Sequence, residues 1–151
     1  AHRRIDHPVF GIAGHRDDGT HVSGPNTRDA GLAIPFVDGP GTIDVRIDRL
    51  LGVFPMSRTK AWLATFAEIE RLDPVRIVPG HGRVCGLAQA QADTRDYLLA
   101  LRAHMKKAVD DGTDISAAVK SFDDRAYTRL LNAAELMPGN ASRTYLELEW
   151  E

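Results

Sequence analysis

With Cys85 as its only cysteine, the chain can form no intrachain disulfide, and a cysteine-built zinc cluster has no ligands to draw on. Apolar runs long enough to span a bilayer are missing as well, which excludes a transmembrane helix. Charge of one sign is scarce: a formal net charge of −2 gives no case for nucleic acid or an anionic membrane surface as partner. Aromatic residues are few, at 7%, and no internal repeat is visible. The chain opens at Ala1 with neither an initiator methionine nor a signal-peptide pattern. The expected start of the natural protein therefore lies upstream, with the cytoplasm favoured as compartment and the periplasm left open. What remains fits one globular domain of 151 residues, and a small molecule is the expected partner.

The stretch that organises the rest is Arg76-Ile77-Val78-Pro79-Gly80-His81-Gly82. A short β-branched run reads as a buried strand, Pro-Gly stops it, and a histidine follows on the turn between two glycines. Loop side chains beyond strand ends can converge on a ligand without disturbing packed layers, so His81 is the leading candidate for chemistry. A helix precedes this strand. Trp62, Phe66, Ile69 and Leu72 recur at the spacing of one buried face, Ser57 or Thr59 can cap it, and Asp73-Pro74 ends it. Earlier, residues 43–48 alternate apolar and polar as a half-buried strand does, with Asp44 and Asp48 on one face.

After Gly86 the pattern turns helical. The spacing predicts helices over 88–111, closed by Gly112, then a short one capped by Asp114, then a third over 124–135. Pro138-Gly139-Asn140 is expected to break that third helix, leaving a last one over 141–151. His104 falls inside a helix and reads as a structural or surface residue rather than a ligand. Residues 1–42 are harder to read, with a plausible strand at 31–37 interrupted by Pro35. They carry four of the six histidines, and His2-Arg3-Arg4-Ile5-Asp6-His7 groups two imidazoles with a carboxylate, a set that suits zinc and equally reads as a polar arm with its charges in water.

Taken together, Asp48-Arg49-Leu50-Leu51-Gly52-Val53, Thr59-Lys60-Ala61-Trp62-Leu63, Ile77 to Gly82, Asp93 to Leu98 and Asn140 to Glu149 resemble the C-terminal half of metallo-β-lactamase-fold hydrolases. The likeness is to the general hydrolase branch. It covers 43–151, with 1–42 poorly matched, and implies an α/β architecture: an αββα sandwich, incomplete on its N-terminal side and helical at its C-terminal end. It also implies one or two zinc ions at the sheet rim. The carried-over ligands are His81, from the Pro-Gly-His-Gly turn, Asp44 as the metal-bridging carboxylate, and His2, Asp6 and His7 from the N-terminal motif. Asp6 is also the candidate catalytic carboxylate.

The departures from that pattern are specific. Asp44 stands four residues before Asp48 and follows Ile43, one place off and without the family's glycine. Arg4 replaces the second histidine of the N-terminal motif and, being always protonated, has no lone pair for a metal. Gly24-Pro25-Asn26-Thr27 lacks the histidine that the matching stretch would carry. Two expectations follow. One is a zinc hydrolase acting on an ester, thioester or lactam-type carbonyl through a metal-activated hydroxide. The other is an inactive remnant with an incomplete metal site, whose open sheet edge would favour a homodimer.

Overall fold

The computed structural model describes residues 9–11, 45–55 and 58–151. Helix α1 (Thr59–Arg71) forms where expected and buries Trp62, Phe66 and Ile69 on one face. Its N-terminus is not capped locally. Thr59 is the first helical residue, and the Arg58 side chain makes no cap. The Glu147 carboxylate instead accepts from Thr59 N at 3.0 Å, Thr59 Oγ1 at 2.7 Å and Lys60 N at 3.3 Å. Arg102 completes the junction, donating to Thr59 Oγ1 at 2.7 Å and to Glu147 at 3.3 Å. A carboxylate at a helix N-terminus satisfies orphan amides and complements the helix dipole. Glu147→Ala is therefore expected to lower stability by about 2 kcal/mol, read by chemical denaturation. A loss below about 0.5 kcal/mol would show that water caps α1 equally well.

Asp73, with φ of 45°, turns the chain at Pro74 into strand β2 (Arg76–Val78). Strand β1 (Val9–Gly11) pairs with it in parallel, Phe10 opposite Ile77. Beyond Gly86, α2 (Leu87–Ala90), a π-helical turn (Gln91–Arg95) and α3 (Asp96–Asp110) run on without a break. Tyr97, Leu98, Leu101 and Met105 of α3 are fully buried. Gly112, at φ of 66°, closes α3, with Thr113 N donating to Ala108 O at 2.8 Å. Asp114 then caps α4 (Ile115–Ser121), accepting from Ser116 N at 2.7 Å and Ala117 N at 3.1 Å. His104 is structural, as expected: its Nε2 lies 3.0 Å from Ala118 O and its ring meets Phe122 edge-on.

Three expectations are corrected here. The first is the αββα sandwich. Among the described residues the chain is mostly helical, 58% helix against 8% strand, and the only pairing of named strands there is β1 with β2. Two packed sheets cannot be built from that. From Val45 onward the alternating run is not a sheet strand: it makes only single bridges, Arg46 with His81 and Arg49 with Leu131, and Asp48 between them adopts a left-handed φ of 63° that interrupts an extended ladder. Residues 45–53 instead form a buried strap whose Val45, Ile47 and Leu50 are inaccessible to solvent.

The second correction concerns 124–135: residues 125–132 form turns, and only 133–135 are helical, as the start of the next helix. Leu131 gives its N–H to Asp48 O at 2.9 Å and accepts from Leu50 N at 2.9 Å, so neither group is free for a helical ladder. The third is the expected break at Pro138, which lies inside α5 (Ala133–Glu149). Proline in a helix interior forfeits one hydrogen bond. Burial of Met137, Asn140, Ala141, Thr144, Tyr145 and Leu148 on one face outweighs that loss, as tertiary packing commonly does. The strand at 31–37 and the Ser57 cap lie outside the described residues. No helix among the described residues is long and apolar enough to cross a membrane.

Candidate functional site

The His81 turn is pinned at both ends. Ile77 and Cys85 exchange backbone hydrogen bonds, N to O at 2.8 Å and 3.0 Å, and close the segment between them into a loop. At its tip His81 is exposed, and its carbonyl oxygen accepts from Ile47 N at 3.0 Å. Gly82 has φ of 111°, and a Cβ there would overlap the Ile47 carbonyl and lie 2.9 Å from Ile47 Cβ. Only glycine lets the turn press this closely on the strap.

Among the described residues, no strand neighbours the other edge of the strap. Two side chains of the π-helical turn take its place. Thr94 Oγ1 accepts from Arg46 N at 3.2 Å and donates to Arg46 O at 2.9 Å. Asp93 Oδ2 accepts from Asp48 N at 2.9 Å. Both residues are completely buried. Five-residue hydrogen bonding widens one helical turn and leaves consecutive polar side chains facing the same strip of backbone. The second Asp93 oxygen, also buried, lies 2.6 Å from Arg129 Nη2, so the charge is paired.

Asp48 makes the next link. Its carboxylate is forked by Arg83, Nε to Oδ2 at 2.7 Å and Nη2 to Oδ1 at 3.1 Å; the partner is Arg83 rather than the adjacent Arg49. That hydrogen bonding holds the Asp48 carboxyl below the usual carboxylate range. A depressed value keeps the ion pair intact at neutral pH and releases it only in acid. Further along the strap, Asn140 accepts from Val53 N at 2.7 Å and donates to Leu51 O at 2.6 Å and to the Tyr97 hydroxyl at 2.8 Å. Burial pushes the Tyr97 phenol well above its ordinary range, so it is neutral throughout the physiological span. Burial, and next the charge of Asp93, raise the half-buried Cys85 thiol, which stays protonated and inert near neutral pH.

Of the residues singled out from sequence, the structure places His81. His2, Asp6, His7 and Asp44 lie outside the described residues. Among those described, no three of His, Cys, Asp and Glu gather closely enough to hold a metal ion. The carboxylates joined to the His81 turn, Asp48 and Asp93, are engaged by guanidiniums. At the His81 turn the described residues thus offer zinc one imidazole, which is not by itself a zinc site. Asp93, Thr94 and Asn140 carry the site's geometry and were not predicted to. The available signal was a pair of small polar residues at helical positions otherwise facing the core. No known protein family matches the chain, and no curated protein matches it either.

Proposed function

We propose that the chain presents His81 as one ligand of a zinc centre in a hydrolase acting on ester, thioester or lactam-type carbonyls. The observation that carries this reading is the exposed imidazole on a turn fixed by the Ile47 hydrogen bond and the close approach at Gly82. A surface loop without a task has no need of such fixation, whereas a metal ligand must be held within a few tenths of an ångström. His7, Asp6 and Asp44, with His2, are the residues proposed to complete the centre. Zinc bound there would supply Lewis acidity and a water ionising near pH 7.

The alternative is a remnant with an incomplete site. It is favoured by the pairing of Asp48 and Asp93 with arginines, which removes the carboxylates joined to the His81 turn from any ligand set. Zinc content separates the two. After dialysis against zinc-free buffer, wild-type protein is expected to retain close to one zinc per chain and His81→Ala to retain little. Zinc absent from both proteins, or equal in both, would establish the remnant.

A further inference from the structure

We infer that Asp93 and Thr94, on the π-helical turn, are positioning residues for His81, acting through the strap. Three consecutive amides define the mechanism. Arg46 N and Asp48 N face the π-helical turn and end on Thr94 Oγ1 and Asp93 Oδ2, while Ile47 N, between them, faces the other way and ends on His81 O. Alternation of this kind belongs to a strand bonded on both edges. Here one edge is the His81 turn and the other is two side chains. The strap cannot shift along or roll about its axis without breaking bonds to a fully buried Asp93 and Thr94. The His81 carbonyl is therefore held in register with a helix that His81 itself does not touch in sequence or secondary structure.

Asp93 is suited to this by its pairing. Arg129 neutralises the oxygen turned away from the strap, so the other can accept the Asp48 amide as a charge-assisted hydrogen bond. The Arg83 fork on Asp48 adds a tie from the strap back to the residue after Gly82. The importance of this geometry for zinc rests on the proposed function; the mechanical coupling does not.

The two are tested separately. Amide hydrogen exchange in zinc-free protein reads the coupling directly, with Asp93→Asn and Thr94→Val as near-isosteric variants. Tyr145→Phe, which removes a bond to Thr113 O on a different face, is the control for general destabilisation. In both Asp93→Asn and Thr94→Val the Ile47 amide is expected to exchange at least about ten-fold faster relative to the amides of α3, and in Tyr145→Phe to keep its wild-type ratio. Ile47 protection that falls no further than that of α3 in both variants would overturn the inference. Zinc affinity is the second arm: where wild type binds zinc, both variants should bind it about ten-fold more weakly, as loss of ligand support commonly does, and unchanged affinity would overturn the positioning role. Where wild type binds none, the zinc reading fails, and the exchange ratio alone decides the coupling.

Discussion

Asn140→Ala is expected to lower the unfolding free energy by about 3–5 kcal/mol, the sum of leaving several buried partners without hydrogen bonds. The side chain is completely buried and serves Val53 N, Leu51 O and the Tyr97 hydroxyl at 2.6–2.8 Å. Alanine reaches none of them, and the space it leaves is enclosed. For a domain whose whole stability is on the order of 5–15 kcal/mol, this lowers the thermal midpoint by about 10–20 °C. Circular dichroism melts would show it. A midpoint within about 3 °C of wild type would mean that water takes over all three bonds.

Asn140→Asp adds a sign to the prediction. The carboxylate keeps the acceptor for Val53 and can accept from the Tyr97 hydroxyl, but sets oxygen against Leu51 O. Its protonated form can still donate one bond, so burial would raise its folded pKa above the unfolded value of about 3.9. Relative to wild type, the variant should be at its most stable below that pH and lose stability as pH rises through the folded pKa. A flat profile from pH 4 to 8 would contradict burial of this group.

Gly82→Ala is the second large effect, at about 3–5 kcal/mol, combining left-handed strain with overpacking. Its backbone φ of 111° disfavours any side chain, and the new methyl would overlap the Ile47 carbonyl. Relief requires the turn to lift from the strap, which breaks the Ile47–His81 bond. Under the proposed zinc reading, retention of the metal should fall along with stability. Gly112→Ala separates the two contributions. Gly112 also has positive φ, at 66°, but nothing lies within 4 Å of an added Cβ, so its cost should be only about 1 kcal/mol. Equal losses at the two glycines in urea titrations would mean that steric contact with the strap contributes nothing.

Most of the helical architecture was legible because it is written in local periodicity. The spacing of Trp62, Phe66 and Ile69, the Asp114 cap and the Gly112 stop each act within a few residues and hold in the structure. The turn at His81 was legible for the same reason. What misled was local evidence overruled at long range. Residues 43–48 have a strand's alternation, yet from Val45 onward the strap's partners are Thr94, Asp93, Leu131 and Asn140 from helices and turns. Pro138 has a breaker's chemistry, yet the burial of its helix face prevails. An αββα sandwich was inferred from likeness, and likeness between short motifs does not supply the strands that a second sheet needs.

By itself, then, the sequence determined the exposed histidine on a glycine turn, the amphipathic faces of α1 and α3, and the exclusion of disulfides. Each depends on residue type or on spacing within a few turns of chain. Only the tertiary structure decided how His81 is held. The groups responsible are 35 to 45 residues apart, Arg83 reaching Asp48 and Asp93 reaching the Asp48 amide. Hydrogen bonds across such separations depend on how the core folds the chain back on itself, and no local pattern encodes which side chain will end on which amide.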